Sequence, residues 1–289
     1  MARVTVVIPT YNRATELERC LNSLVDQTFQ DFEVFICDDG STDHTTHVVK
    51  NFVAPFPIVF VTQSNSGGPA KGRNAGIKAS QSTYIAFLDS DDWWSARKLE
   101  ESIRYLELGN DLVYHDLHRA PKQRFYTGRT KIRAKPIQEP PYEHLLRRGN
   151  VIPNSSVVVK RSLLEQVGPI DETPALVAAE DFDLWIRLAQ IGCTFKKLPH
   201  TLGYYQIGVD SISTSERVLK YLEFLKQKYM VQDPKEMPIW FHLARGRALH
   251  NLGQIESARA HFWRALFHPG EGLQARNRLA AASALFIHR

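Results

Sequence analysis

Three carboxylates lie within four residues, at Asp89, Asp91 and Asp92, directly after an apolar run at 84–88. Carboxylates this close repel one another, so a fold that holds them at the end of a strand needs a compensating cation. Hard oxygen ligands favour Mg²⁺ or Mn²⁺, and these ions keep positions open for phosphate oxygens. The competing interpretation is an acidic turn in which Asp92 caps a helix that runs through Leu99.

A second acidic group, Glu180, Asp181 and Asp183, opens a segment whose apolar residues recur at helical spacing. Acidic side chains at a helix N-terminus stabilise it by about 0.3–1 kcal/mol each. The residue types alone therefore leave open whether this group does chemistry or only supports its helix.

Four strands must position the acidic and polar loops. We predict them at 4–8, 32–37, 58–62 and 84–88, each separated from the next by a helical pattern. Alternation of strand and helix predicts an open, mostly parallel α/β sheet, in which ligands bind beyond the carboxyl ends of the strands. The loops at those ends read PTYNR, DDGSTD, GGPAKGRN and DSDD, and they should face one crevice.

Each loop alone could be an ordinary turn, but four polar loops at corresponding strand ends favour a ligand site. The first strand is followed by neither G-x-G-x-x-G nor a P-loop lysine, which argues against dinucleotide-binding and Walker-type folds. Thr15 and Glu18 have capping-box spacing for the first helix.

The motifs VIPTYNR, CDDGSTD, N-x-G…GRN-x-G and DSDD occur in an order and at a spacing that resemble one family. Residues 4–117 are similar to the nucleotide-sugar-binding domain of family 2 inverting glycosyltransferases. The resemblance implies the GT-A fold: an α/β architecture with a mostly parallel sheet flanked by helices, here with a C-terminal helical extension.

The resemblance also implies a nucleotide-sugar donor, most simply a UDP-sugar, and a Mn²⁺ or Mg²⁺ ion. Asp39 would accept a hydrogen bond from uracil, and Arg73 would approach the base or the diphosphate. Asp91 would bind the metal, and Asp89 would join it or reach the ribose. The residues expected around the donor are Pro9, Tyr11, Arg13, Asp38, Asp39, Arg73, Asp89 and Ser90.

The segment EDFDLWIR at 180–187 matches the family pattern E-D-x-D-L-W-x-R. There the aspartate of the E-D pair is the general base, which implies Asp181, with Glu180 as the reserve. The base would take the acceptor proton as the new bond forms, and a single in-line displacement would invert the anomeric carbon.

One segment departs from the family pattern. Relatives often carry Tyr-Arg-x-His after a late strand, whereas Gln206 and Gly208 stand at the Arg and His positions here. The missing histidine puts a third protein ligand for the metal in doubt. Upstream, residues 119–148 hold nine Lys or Arg residues and four prolines, and we predict a long connection on the acceptor side.

The chain after about residue 215 has helical patterns, and residues 244–270 resemble one tetratricopeptide unit hinged at Gly253. One such unit cannot bury its own apolar face, so it should pack on residues 273–286 or on the catalytic core. Two interpretations stay open: a structural cap, or a docking site for a protein partner or a membrane. The expected domains are 1–213, with halves 1–117 and 118–213, and 214–289.

Composition constrains the compartment. No apolar run approaches the roughly 18 residues of a membrane span, and Cys20 and Cys37 fit core packing rather than a disulfide framework. We therefore expect a cytoplasmic protein, at most peripheral at the inner face of a membrane. The net charge of +5 suits nucleotide phosphate, an anionic membrane or nucleic acid, and the implied function needs no nucleic acid.

The sequence thus predicts an inverting, metal-dependent glycosyltransferase that moves a sugar to a glycan or lipid-linked acceptor in cell-surface polysaccharide synthesis. Two rivals remain at this point. A nucleotidyltransferase also uses acidic metal sites on an α/β sheet, and a degenerate GT-A domain could serve as a scaffold that docks partners through its helical end.

Overall fold

The computed structural model describes residues 2–121, 131–207, 212–230 and 237–268. Within these residues one mixed sheet has the strand order β3-β2-β1-β4-β8-β6-β9-β5, and β7 pairs with β6. The strands are β1 (Val4–Thr10), β2 (Phe32–Asp38), β3 (Ile58–Thr62), β4 (Tyr84–Phe87), β5 (Trp93–Trp94), β6 (Leu112–Pro121), β7 (Lys131–Ile132), β8 (Val158–Lys160) and β9 (Phe195–Ile207).

Helices cover both faces of the sheet. They are α1 (Ala14–Val25), α2 (Thr45–Asn51), α3 (Ala70–Ala79), α4 (Lys98–Glu107), α5 (Pro141–Arg148), α6 (Arg161–Val167), α7 (Glu180–Gln190), α8 (Ser215–Tyr229), α9 (Ile239–Asn251) and α10 (Ile255–Leu266).

Strands β1 to β4 explain why the polar loops converge. Strand β1 pairs in parallel with both β2 and β4, and β2 pairs in parallel with β3. The apolar side chains of β1, β2 and β4 are buried on both faces, as continuous β-branched runs predict for parallel strands, whereas Val59 and Val61 of β3, at the edge of the sheet, are exposed. The carboxyl ends of these strands therefore open on the same edge, and the predicted α/β architecture is confirmed.

The last strands close the sheet around the acidic loop. Strand β8 runs antiparallel to β4, and β5 pairs antiparallel with β9. Residues 89–92 therefore lie between β4 and β5, which are two strands of the same sheet. Asp92 is buried, and its carboxylate accepts the Gln206 amide hydrogen at 2.9 Å. It does not cap α4, whose N-cap is Arg97, so the capping interpretation is wrong.

The start of α1 also differs from the sequence-based expectation. The helix begins at Ala14, one residue before the capping-box position, and its N-cap Arg13 makes no side-chain cap bond. Instead the Asp43 carboxylate, from the loop after β2, accepts the Ala14 amide hydrogen at 3.1 Å. A residue distant in sequence therefore replaces the local cap.

The basic connection contains more structure than predicted. Residues 131–132 form β7 and residues 141–148 form α5, whereas residues 122–130 lie outside the described part of the chain. Helix α5 begins with prolines, whose missing amide hydrogen is not needed in the first turn. The prolines of this segment favoured an irregular connection in the sequence analysis, so the helix was not predicted.

The C-terminal helices pack as a continuation of the core. Leu225 of α8 is buried in the cluster of apolar side chains around α7. Helices α9 and α10 form the hairpin predicted from the repeat-like pattern, and Gly253 at the turn adopts a φ of +76°. The predicted partner segment 273–286 lies outside the described residues. Among the described helices, none combines the length and apolar composition required to cross a bilayer.

Candidate active site

The loops after β1 and β2 are joined into one surface. The Asn12 amide hydrogen bonds to Ser41 Oγ at 2.8 Å, and the Asn12 side-chain oxygen accepts the Thr42 amide hydrogen at 2.8 Å. Both Asp38 oxygens accept from the Ser41 backbone amide, and Asp38 also binds the Ser41 hydroxyl. Asp38 thus shapes the loop that borders the predicted nucleotide position.

Asp39 is buried beside this loop and holds the glycine-rich loop. Its Oδ1 accepts from Gln63 Nε2 at 2.8 Å and from Ser66 Oγ at 2.9 Å, and both of its oxygens accept the Ser66 amide hydrogen at 3.0 Å. Oδ2 has only that one bonded donor among the described residues, so it retains capacity to accept a hydrogen bond from a base.

Pro9 is the second-last residue of β1, Tyr11 directly follows the strand, and Tyr11 is 46% exposed. Arg13 follows, and its charge opposes the rise in the pKa of Asp91. These three residues therefore lie on the predicted donor side, where an exposed ring and a cation suit a nucleotide diphosphate.

The acidic loop after β4 is held by side chains of neighbouring segments. The Asp89 amide hydrogen bonds to Ser155 Oγ at 3.1 Å, and Asn154 Nδ2 donates to Asp89 Oδ1 at 3.1 Å. Ser90 is buried between the two acids. The Asp91 carbonyl accepts from the Arg19 guanidinium at 2.8 Å. Burial, together with the charge of Asp89, raises the pKa of Asp91 above its ordinary value.

The donor set at this loop fits a divalent cation that takes few protein ligands. Burial and then the charge of Asp89 raise the pKa of Asp91, and a bound divalent cation would oppose both effects. Across the described parts of the chain, no group of three His, Cys, Asp or Glu side chains forms a fuller metal site. Mg²⁺-type sites commonly use one or two carboxylates and leave the other positions to phosphate and water. Gly208, at the position of the missing histidine, lies outside the described residues.

Arg73 joins the two acidic groups that the sequence singles out. Its Nη2 donates to Asp89 Oδ1 at 2.6 Å, and its Nη1 donates to Glu180 Oε1 at 2.6 Å. The guanidinium is buried, with 5% of the side chain exposed. Burial lowers its pKa, but Asp89 and Glu180 outweigh that effect and hold the pKa above the ordinary value. The sequence placed Arg73 at the base or phosphate, whereas the structure places its two terminal nitrogens on carboxylates.

Glu180 and Asp181 begin α7 on the far side of this bridge. Glu180 is buried, and its second oxygen accepts the Ala178 amide hydrogen at 2.8 Å. Asp181 accepts from the Phe182 amide at 2.7 Å and from Asn150 Nδ2 at 3.2 Å. Burial and then the charge of Glu180 raise the pKa of Asp181 to about 7, although Arg73 opposes the rise. A carboxylate with this pKa is matched to proton transfer at neutral pH.

The third acid of the motif, Asp183, holds the helix in place. It is fully buried and accepts from Arg187 Nε at 2.9 Å, from Lys228 Nζ at 2.7 Å and from the Tyr229 hydroxyl at 2.6 Å. Lys228 and Tyr229 belong to the end of α8. Asp183 therefore ties the helix that carries Asp181 to the C-terminal part of the chain.

Tyr205 lies among the same carboxylates. Burial, followed by the charges of Asp92, Asp89 and Asp91, raises the pKa of Tyr205 to about 12. Gln206, which stands where relatives have arginine, is buried and donates to the Ala120 carbonyl at 3.0 Å. Gln206 thus joins β9 to β6 rather than facing a ligand.

Sequence reasoning missed the residues that hold the acids. Asn150, Asn154 and Ser155 contact Asp181 or Asp89, and all three lie in the polar segment that precedes β8. The density of Asn and Ser in that segment was the available signal, but it identifies no partner.

The model of the protein family described as "Glycosyl transferase family 2" matches residues 5–168. Among curated proteins, the UDP-Glc:alpha-D-GlcNAc-diphosphoundecaprenol beta-1,3-glucosyltransferase WfaP of Escherichia coli is 25% identical over 232 residues. That alignment covers 80% of this chain and 86% of WfaP.

Two solved structures share the fold. TarS residues 1–349 from S. aureus, in complex with UDP-GlcNAc, align with a TM-score of 0.60 at 18% identity, over 99% of this chain and 89% of that one. The mannosyltransferase PcManGT from Pyrobaculum calidifontis, in complex with GDP-Man and Mn2+, aligns with a TM-score of 0.61 at 21% identity, over 99% and 81% respectively. Together with the sheet described above, these alignments confirm the predicted GT-A-type fold.

Proposed function

The chain belongs to glycosyl transferase family 2, and we propose that it transfers a sugar, with inversion, from a UDP-sugar to a lipid-linked glycan. The observation that carries the proposal is the Arg73 bridge, with 2.6 Å contacts to Asp89 and to Glu180. It brings one donor-side acid, Asp89, together with the acid pair at the start of α7, which supports the proposal because a single displacement needs the donor site and the base close to each other.

Asp181 is the general base in this proposal. An acceptor hydroxyl has a very high pKa, so its proton moves to Asp181 only as the bond to the anomeric carbon forms. Asn150 and the Phe182 amide occupy one position on each oxygen of Asp181 and orient the carboxylate. Glu180 has both oxygens bonded, to Arg73 and to the Ala178 amide, so it supports the base instead of replacing it.

The leaving group is a nucleoside diphosphate, whose developing charge must be stabilised. Asp91, with Asp89, would hold Mn²⁺ or Mg²⁺, and the ion would neutralise the diphosphate as it departs. Tyr11, Arg13 and Asp39 would border the nucleotide. Asp39 Oδ2, with a single bonded donor among the described residues, would accept from the uracil N–H.

The substrate class is inferred from relatives. WfaP is named for transfer from UDP-Glc to a GlcNAc-diphosphoundecaprenol, and the alignment with it spans 80% of this chain. We infer the same classes of donor and acceptor here, which suits synthesis of a surface polysaccharide. A lipid-linked acceptor would bring a cytoplasmic enzyme to the inner face of a membrane, where the helical end could contact the membrane or a protein partner.

The first measurement is titration calorimetry of the purified protein with UDP, with and without Mn²⁺. We expect metal-dependent binding in the micromolar range, about −8 kcal/mol. Asp91→Ala should abolish the metal dependence. Binding of GDP in place of UDP would change the donor and keep the family, whereas binding of no nucleotide would contradict the proposed activity.

The second measurement follows glucose transfer from UDP-glucose to a GlcNAc-diphospholipid. Asp181→Asn should lower kcat by about 10²–10⁴-fold and leave UDP binding intact, because the amide keeps the shape and loses the basic oxygen. Wild-type kcat should rise with pH through about 7 as Asp181 loses its proton. Asp26→Asn, at the exposed end of α1, is the control. Full activity of Asp181→Asn would refute the base assignment.

A further inference from the structure

One side chain of the helical end reaches the segment that holds the proposed base. Trp240 lies in the first turn of α9, and its indole Nε1 donates to the Leu146 carbonyl of α5 at 2.8 Å. Its ring meets the ring of Phe182 edge-on, with centroids 5.7 Å apart and planes at 85°. The same indole covers Gly149, where an added Cβ would lie 2.8 Å from a ring carbon.

The residues under Trp240 are direct neighbours of the base and of its hydrogen-bond donor. Gly149 precedes Asn150, whose Nδ2 donates to Asp181 Oδ2 at 3.2 Å. Phe182 follows Asp181, and its amide donates to the other carboxylate oxygen at 2.7 Å. The indole thus packs against Gly149, which precedes the donor Asn150, and against Phe182, whose amide is the other donor to the carboxylate.

The backbone at this point depends on the close packing. Gly149 has a φ of +76° and ends α5, so the chain turns sharply there toward Asn150. Side chains other than glycine rarely adopt that φ, and the indole leaves no room for a Cβ. The bond from the indole to Leu146 fixes the last turn of α5 against the same ring. Trp240 therefore packs against the turn at which the chain leaves the helix toward Asn150.

We propose that Trp240 is a positioning residue for Asp181, acting through Asn150 and Phe182. The inference rests on the proposed function, since it assigns a role in the same transfer reaction. It gives the helical end a part in catalysis that differs from docking a partner.

The anchoring of α9 lets this role be tested separately from folding. Met237 and Phe241 are buried together with Leu222 of α8, in a cluster that holds the start of α9. Loss of the indole should therefore leave α9 attached. The result that distinguishes positioning from general stability is a fall in kcat without a change in the donor KM.

The experiment measures glucose transfer from UDP-glucose to a GlcNAc-diphospholipid by the wild type and by Trp240→Ala, Trp240→Phe and Asn150→Ala. A displacement of about 1 Å can cost on the order of 10²-fold in rate, so we expect Trp240→Ala to lower kcat by about 10–100-fold. The donor KM and UDP affinity should stay within about twofold. Trp240→Phe keeps a ring but loses the hydrogen bond to Leu146, so its kcat should lie between those of the wild type and Trp240→Ala.

The double variant Trp240→Ala/Asn150→Ala tests the route. If Trp240 acts through Asn150, its loss should cost much less in the Asn150→Ala background, since the two effects share one contact. Trp263→Ala, at a half-exposed tryptophan on α10, is the matched control and should retain wild-type kcat.

Two outcomes would overturn the inference. One is a wild-type kcat in Trp240→Ala or, if that variant does not fold, in Trp240→Phe. The other is an equal loss from Trp240→Ala with and without Asn150. Failure of the proposed function would look different, because the wild type itself would then transfer no glucose.

Discussion

The Arg73 bridge makes a prediction that can be tested without any substrate. Arg73→Gln removes the cation between Asp89 and Glu180, whose side chains are 31% and 6% exposed. Breaking a buried ion pair by removing one partner costs about 3–5 kcal/mol, because the remaining charge is left without compensation. Asp89 faces water in part and keeps its bond from Asn154, so most of the loss comes from Glu180. We expect the free energy of unfolding to fall by about 3 kcal/mol.

Urea unfolding at pH 7.5 in the absence of metal measures this difference. The free energy of unfolding of Arg73→Lys should be lowered nearly as much, because one ammonium group cannot reproduce two separate 2.6 Å contacts made by two nitrogens. The control is Arg3→Gln, which breaks an exposed ion pair with Glu107 and should cost no more than about 1 kcal/mol. A change of less than about 0.5 kcal/mol in Arg73→Gln would refute the reasoning, since ordinary surface substitutions stay within that range.

Three further predictions concern stability. The raised pKa of Asp181, about 7 against an ordinary 3.8, means that wild-type stability falls as pH rises between those values. Asp181→Asn should therefore be more stable than the wild type above pH 7, by about 4 kcal/mol, with no difference near pH 3 in urea unfolding; equal stability at pH 8 would contradict this. Lys98 is fully buried, with its Nζ 3.6 Å from the Trp94 ring centroid and no hydrogen-bond partner among the described residues. Burial lowers the pKa of Lys98, because the charged form is disfavoured there. Lys98→Met should therefore stabilise the protein by about 1–3 kcal/mol at pH 7, and by less as the pH approaches 10. A loss of stability would show that the ammonium group makes a favourable contact that the methionine cannot replace. A chain of residues 1–213 should lose the cooperative thermal unfolding of the full chain, since Asp183 would keep only Arg187 among its side-chain partners; retention of the full-chain transition would show that residues 214–289 are a separable domain.

The local pattern of apolar residues was sufficient to predict four strands of the sheet, β1 to β4. Strand β3 spans the residues predicted for it, and β1 and β2 extend two residues and one residue beyond the apolar runs that indicated them. Strands β1 and β2 are almost entirely buried, so runs of apolar residues indicate where they lie. The polar loops were predictable for the same reason, because they begin where the apolar runs end.

The partners of the acidic residues were not predictable in this way. Arg73 and Glu180 are 107 residues apart in sequence, and Asn150 and Asp181 are 31 apart. No local spacing connects them, and an arginine in a glycine-rich loop fits a phosphate site as well as an ion pair. The prediction of the cap of α1 was wrong for the same reason, since Asp43 is 29 residues from the amide that it binds.

The acidic motif residues lie in separate blocks of the sequence, but the contacts that hold them cross between those blocks. By sequence, the donor acids, the acid pair and the helical end are three blocks, and a domain boundary after residue 213 is a natural prediction. In the folded chain, Arg73 ties the first block to the second at 2.6 Å, while Lys228 ties the second to the third at 2.7 Å. Each tie joins a cation to a carboxylate that is at most 6% exposed, where an unpaired charge is costly. We therefore expect that a substitution in the helical end can change catalysis without touching a substrate, because the helix that carries the proposed base, Asp181, is held by a contact that originates there.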